Sequence, residues 1–317
     1  MDGFNLIKTK KIKNMGKTIA CIACLLAAVI SASAAEGIVK KIWPDGKMPG
    51  TACKEQEAFK IFRNKDKRIN FVSTPTLEFF LAGGDNPSGL VIVCPGGAYK
   101  DIWYVNEGTE IAERLSKAGI SCAVLKYRIP DNTEGALMDI QRAIRYARAN
   151  AKELNINPGK IGVMGFSAGA NLSARASAAD KAAYMNVDGA DEISCKPDCT
   201  VLVYPAYCDQ PTYDWRWNGK SKPENMDYSA QFELAKDLKI NSSTPPAFIV
   251  QTQDDKTYID ASIAYYLALK KSGVPAELFL FSKGGHGFCL NNQKDRVKVW
   301  INLCEDWLKE IGFSADK

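Results

Sequence analysis

Two short segments of this 317-residue chain hold side chains whose types and spacing suit nucleophilic chemistry. Gly165-Phe166-Ser167-Ala168-Gly169 sets a serine between flanking glycines, directly after the run KIGVM and directly before the small-residue run AGANLSARA. A serine on a tight strand-to-helix turn stands clear of its neighbours, and the glycines let the two backbones approach closely. Its hydroxyl is a poor nucleophile until a neighbouring base takes the proton. The chain has a single histidine, His286, in KGGHGF immediately after the run AELFLF. The spacing therefore predicts Ser167 as nucleophile and His286 as its general base. The competing reading of GFSAG, an ordinary glycine-rich turn, loses ground because a strand precedes the motif and a helix follows it.

A third group must fix the imidazole tautomer and stabilise the imidazolium. Thr252-Gln253-Asp254-Asp255 follows AFIVQ and completes the chain order Ser, Asp, His. Asp255 is preferred because an apolar position, Tyr258, follows it at the spacing of the next helix start; Asp254, the alternative, then serves as a turn or cap residue. Acyl transfer also needs N–H donors for the developing oxyanion. LVIVC ends in Pro95-Gly96-Gly97-Ala98-Tyr99, and the backbone N–H groups of Gly97 and Ala98, with that of Ala168, are the expected donors. Neither a metal nor a cofactor is required.

These residues must be carried by elements that bring them together. From Leu77 onward, short β-branched runs alternate with amphipathic helices, which implies an α/β fold with a mostly parallel central sheet and helices on both faces. The expected strands are LVIVC, SCAVLKY, KIGVMGF, TVLVY, AFIVQT and AELFLF, and INFVS with TLEFFLA is expected to form an antiparallel edge hairpin. Ile111 and Leu115 mark one helix ending at Gly119. Leu137, Ile140, Ile144 and Ala147 mark a second, and Val297, Trp300, Ile301, Cys304, Leu308 and Ile311 a third. The stretch 206–226, with two prolines, several aromatics and little periodicity, reads as an insertion of the kind that shapes substrate contacts. Trp103, Tyr104, Trp215 and Trp217 fall on loops expected to border the site, where aromatic rings can contact a substrate; packing of the insertion onto the body is the alternative.

Residues 1–35 read as a signal peptide: lysines, the apolar run Ile19 to Ile30, then small residues with an Ala-x-Ala site at Ala32 to Ala34. Met15 is an alternative start. The catalytic domain is then 36–317, secreted or periplasmic, with no membrane span in the mature protein. Removing five lysines and one aspartate takes the formal charge from +5 to about +1, so charge gives no reason to expect a nucleic-acid partner. Two of the ten cysteines lie in the leader. Cys94 and Cys122 fall in apolar strands as packed thiols, and Cys195 with Cys199 allows a local disulfide in an oxidising compartment. A zinc site would need thiolates from distant segments.

The segments VCPGGAYKDIWYVNEG, AVLKYRIP, MDIQRAIRYARANAKELNINPGKIGVMGFSAGANLSA, VLVYPAY and QTQDDKTYIDASIAYYLALKKSGVPAELFLFSKGGHGF together resemble the carbohydrate esterases of the α/β-hydrolase fold, especially bacterial acetyl xylan esterases and feruloyl esterase-like proteins. The resemblance covers most of the chain beyond residue 88. It implies an acylated carbohydrate as substrate and two-step ester hydrolysis, with Asp139, Tyr127 and Arg128 in structural roles. Ala98 departs from the pattern, which usually has a third glycine, as does Ala170-Asn171, where Gly-His often follows the serine. A feruloyl esterase, a general short-chain carboxylesterase or peptidase-like hydrolase, and a catalytically silent carbohydrate-binding relative are the competing readings.

Overall fold

All seven residues of the strand containing LVIVC are buried, as expected of a parallel strand covered on both faces. The computed structural model describes residues 38–61, 67–223 and 232–315. The leader expected over 1–35, the alternative start Met15 and the last residues of the 206–226 insertion lie outside the described residues. In chain order the strands are β1 (Ile38–Lys41), β2 (Ala58–Ile61), β3 (Lys67–Asn70), β4 (Thr76–Phe80), β5 (Ser88–Cys94), β6 (Ile102–Trp103), β7 (Ser121–Lys126), β8 (Ile156–Phe166), β9 (Thr200–Val203), β10 (Ala247–Thr252) and β11 (Ala276–Phe281). The α-helices are α1 (Glu110–Lys117), α2 (Thr133–Ala149), α3 (Ala168–Ala178), α4 (Gln210–Trp217), α5 (Ile259–Lys271) and α6 (Trp300–Glu310).

An eight-stranded sheet runs β1-β4-β7-β5-β8-β9-β10-β11, antiparallel at β1/β4 and β4/β7 and parallel from β7 onward. Alternation along its strands sorts the core. Leu90 and Ile92 of β5 share a cluster with Ala136, Ile140, Ala143 and Ile144 of α2. Val91 and Val93 point the other way, toward Ile111 and Leu115 of α1 and Trp300, Cys304 and Leu308 of α6. Each such Val, Leu or Ile side chain stabilises the fold by ~1.5–3 kcal/mol on burial. The chain passes from β5 to β7 on one side and then crosses to β8 on the other. The winding therefore reverses between β5 and β8, and a crevice opens beyond their C-terminal ends, where folds of this kind hold ligands. Among the described residues, no helix is long and apolar enough to cross a membrane.

Two expectations are corrected. INFVS and TLEFFLA do not pair: β4 has β1 on one edge and β7 on the other, which leaves it no edge for β3. Instead β3 joins β2 and β6 in a separate three-stranded antiparallel sheet, and the chain turns away at Phe71, whose φ is 58°. Cys195 and Cys199 are free thiols. Cys199 is buried among the core residues of the sheet, against the space left by Gly162, whereas Cys195 stays half-buried in the preceding loop. Cys94 and Cys122 are buried thiols. Within 206–226, Gln210–Trp217 forms α4, started by Asp209, whose side chain accepts the N–H of Thr212.

The end of β7 braces the site from behind. Arg128 and Asp139 form a fully buried ion pair, and Trp43 Nε1–H donates to the same carboxylate at 2.8 Å. Next to this pair, the Tyr127 hydroxyl donates to Pro95 O at 2.7 Å and so holds the loop that follows β5.

Candidate active site

β8 ends in the turn that carries Ser167, whose φ of 51° and ψ of −117° lie outside the usual regions for an L-residue. Such a conformation costs ~1–3 kcal/mol and persists only where its surroundings hold it. Here the Ser167 N–H donates to Val203 O at 3.1 Å, and Ser167 O accepts the N–H of Ala206 at 3.2 Å. The two glycines of the motif are demanded by close approach. A Cβ on Gly165 would lie 2.1 Å from Gly169 O, and one on Gly169 would lie 2.0 Å from Cys94 O. Any side chain at either position would push α3 away from β5 and β8.

Ser167 Oγ lies 2.8 Å from His286 Nε2, and His286 Nδ1 lies 2.7 Å from Asp255 Oδ2. An ionised carboxylate only accepts, so Nδ1–H donates to Asp255 and Nε2 is left to accept the Ser167 proton. Asp255 is buried, and the imidazole is about a third exposed at 31%. Tyr258 and Tyr204 flank the ring, with centroids 4.8 and 5.1 Å away. Asp254 faces elsewhere: its carboxylate accepts the N–H groups of Gly284 and Gly285 at 3.2 and 2.8 Å. Burial works to raise its pKa, but hydrogen bonds together, those of Gly285 and Gly284 first among them, hold the carboxyl below its ordinary value. Adjacent aspartates thus take separate tasks: one meets the imidazole, and the other pins the loop that carries it.

A cavity of about 530 Å³ opens over Ser167 and His286. Gly97 and Ala98 line it, and neither N–H meets a protein acceptor among the described residues. Ala168 opens α3, where the first N–H groups of a helix lack intrahelical acceptors. Of the four aromatics expected at the mouth, Trp103 lines the cavity, with the Arg68 guanidinium 3.6 Å above its ring. The other three are placed differently. Tyr104 donates its hydroxyl to Glu78 and packs on the core. Trp215 and Trp217, on α4, pack against Tyr207 and so support a cavity wall from behind. Tyr207, Tyr258, Arg68 and Glu107 line the cavity without having been singled out as site residues. Arg68 lies in a short strand far from the motifs and carries no local signal; Glu107 does lie within a quoted motif, in WYVNEG.

A family model described as BD-FAE matches residues 79–203, which include Gly97, Ala98 and Ser167 but stop short of Asp255 and His286. The acetyl ester-xyloside bifunctional hydrolase of Caldicellulosiruptor lactoaceticus, a solved structure, is 32% identical with a TM-score of 0.70, and the match covers 90% of this chain and 100% of that one. The chain belongs to the α/β-hydrolase esterase family. It is also similar to the acetylxylan esterase of Xylanibacter ruminicola, 29% identical over 237 residues, 72% of this chain and 45% of that protein. The endo-1,4-beta-xylanase B of Butyrivibrio fibrisolvens is 28% identical over 289 residues, 84% of this chain and 44% of that protein. The chain thus spans a little under half the length of these two curated relatives.

The two departures from the pattern expected of the family differ in their surroundings. Ala98 has a φ of 55°, in the left-handed region that glycine enters freely and alanine at a cost of ~1–2 kcal/mol. Asn171, in place of histidine, is fully buried. Its Oδ1 accepts the Tyr99 hydroxyl at 2.8 Å, and its Nδ2–H donates to Tyr207 O at 3.1 Å. It thereby ties the helix behind Ser167 to both the loop after β5 and a wall of the cavity.

Proposed function

We propose that this chain is an exported serine esterase that removes short acyl groups, acetyl foremost, from plant polysaccharide or its oligosaccharide fragments. The observation that carries this reading is the unbroken hydrogen-bonded chain from Ser167 through His286 to the buried Asp255, at a cavity lined by Gly97 and Ala98. Ser167 attacks the acyl carbonyl as His286 Nε2 takes its proton, and the oxyanion rests on the N–H groups of Gly97, Ala98 and Ala168. Asp255 holds Nδ1–H and stabilises the imidazolium. His286 then protonates the departing sugar oxygen, afterwards deprotonates the water that attacks the acyl-enzyme, and returns that proton to Ser167 Oγ as the acid leaves.

Three features support the carbohydrate ester. The cavity is far larger than an acetyl group needs, which leaves room for the alcohol portion of the ester. Trp103, buttressed by Arg68, presents an aromatic wall suited to stacking on a sugar ring. The names of two similar proteins, an acetylxylan esterase and an acetyl ester-xyloside hydrolase, refer to the same chemistry. Export rests on the pattern of residues 1–35 alone.

The test is release of acetate from acetylated xylan set against release of ferulate from feruloylated arabinoxylan, with Ser167→Ala as control. Acetate release by the unaltered chain, faster than ferulate release and absent in the control, is the expected result. Ferulate release that exceeds acetate release overturns the acyl assignment, and equal activity in the control overturns the serine mechanism.

A further inference from the structure

We propose that Glu107 is a positioning residue that locks the oxyanion loop and the histidine into one rigid unit. The proposal rests on the esterase reading above. Glu107 lies in a single turn of π-helix, Val105–Thr109, just before α1; π turns recur at functional sites. Its side chain is buried at the cavity, and each carboxylate oxygen meets a different part of the site. Oε2 accepts the N–H of Gly96 at 2.7 Å, immediately before the Gly97 and Ala98 donors. Oε1 accepts the Tyr204 hydroxyl at 2.9 Å, and the Tyr204 ring packs edge-on against His286 at 5.1 Å and against Phe288 at 4.6 Å.

Gly96 makes this approach possible. A Cβ at that position would lie 2.8 Å from Glu107 Oε2 and 2.9 Å from Ser167 Cβ. The carboxylate and the nucleophile therefore face each other across the gap that one glycine leaves. Tyr204 has a φ of 38°, a second strained backbone position beside that of Ser167. Strain of this kind is retained where neighbouring contacts over-determine it, and the Glu107 bond is one such contact. Removing the carboxylate would leave the Gly96 N–H and the Tyr204 O–H without their acceptor, and the loop that presents the oxyanion donors would lose its anchor. Donors must sit within a few tenths of an ångström of the oxyanion position to act, so the loss appears in kcat rather than in substrate binding.

Hydrolysis of p-nitrophenyl acetate, thermal melting and inhibition by a short-chain trifluoromethyl ketone, which forms a tetrahedral adduct with the serine, test the proposal on the full chain. Glu107→Ala is expected to lower kcat about 10²-fold with KM within about 3-fold, and ketone binding should weaken in step with kcat/KM. Glu107→Gln keeps the length of the side chain, accepts from Gly96 and donates to the Tyr204 oxygen, so its kcat should return to within about 10-fold of the unaltered chain. Glu107→Asp keeps the charge but is one methylene too short to reach both partners, and a loss of at least about 10-fold is expected. If Glu107→Ala does not fold, Glu107→Asp decides. A kcat within about 3-fold of the unaltered chain in either variant overturns the proposal, as does a fall in rate with no weakening of ketone binding. An unaltered chain that hydrolyses no ester overturns the esterase reading and this proposal together, whereas an active chain with an unaffected Glu107→Ala overturns only the role of Glu107.

Discussion

Asp139, on α2, and Asp255, after β10, are both buried, at 0% and 5% exposure, and each faces one basic side chain. Around Asp139 every direction is filled. Arg128 donates from Nε, Nη2 and its own N–H, and Trp43 Nε1–H adds a further bond. Arg128 uses its remaining donors on the carbonyls of Pro49, Thr51 and Gly135. Asp255 receives the Nδ1–H of His286 and, more weakly, the N–H of Tyr258 at 3.4 Å. The second nitrogen of that imidazole is directed at Ser167 over the cavity. Arginine stays protonated and saturated, so the first pair holds β7 to α2. Histidine can release and regain its proton, so the second pair can pass one on. What separates a structural carboxylate from a chemical one here is the unused capacity of its partner.

The largest effect expected is at the far end of the second pair. Ser167→Ala should lower kcat for p-nitrophenyl acetate by at least ~10³-fold, and turnover like that of the unaltered chain would break the comparison outright. Asp255→Asn should follow, with a loss of about 10²- to 10⁴-fold, because the amide favours the wrong imidazole tautomer. Asp254→Asn, which can still accept from Gly285 through its oxygen, should lose about 10-fold or less. Steady-state kinetics on both variants name the carboxylate that serves the histidine, and a larger loss at Asp254 would reverse the assignment.

The first pair should respond in stability. Asp139→Asn leaves a buried guanidinium without its counter-charge and should cost about 3–5 kcal/mol in denaturant unfolding, with little change in rate per folded molecule. A stable Asp139→Asn with lost activity would show that the two carboxylates are not separated in this way.

The smallest effect concerns a third buried carboxylate. Asp209 meets the N–H and hydroxyl of Thr212 in place of a basic side chain, and burial pushes its carboxyl up to about 6. The folded protein therefore holds this proton more tightly than the unfolded chain does. The resulting stability is present below the unfolded pKa of about 4 and is lost as pH rises through about 6. Asp209→Asn keeps an acceptor for the Thr212 N–H and removes the charge. Its stability relative to the unaltered chain should rise by about 2–3 kcal/mol between about pH 4 and pH 7, measured by unfolding across that range. A difference independent of pH would show that Asp209 does not titrate in this window.

β5, β7, β9 and β10 were legible because they are buried on both faces and read as apolar runs, and β11, at the exposed edge of the sheet, was legible from its aromatic and branched residues. The small sheet was not. β2 is mostly exposed, β6 has two residues, and β6 finds its partner β3 far back along the chain. The same contrast runs through the site. The turn at Ser167 is contiguous, so strand, glycines and helix announce it together. Asp254 and Asp255 are neighbours on one turn; the spacing to Tyr258 favours Asp255, and the direction each side chain takes in the fold separates them. Trp103 and Trp217 look alike as loop aromatics, yet β6 turns one into the cavity while α4 packs the other on Tyr99 and Tyr207.

The sequence by itself determined the α/β architecture and the turn that lifts Ser167, since both follow from hydrophobic periodicity and from glycine spacing between residues close in the chain. Tertiary structure decided which aromatic faces the cavity and that Glu107 and Asn171 join its separate walls, and it aims Asp255, the aspartate that the spacing to Tyr258 favours, at the imidazole. Those outcomes depend on contacts between segments tens to more than a hundred residues apart, whose geometry is set only once the sheet is assembled.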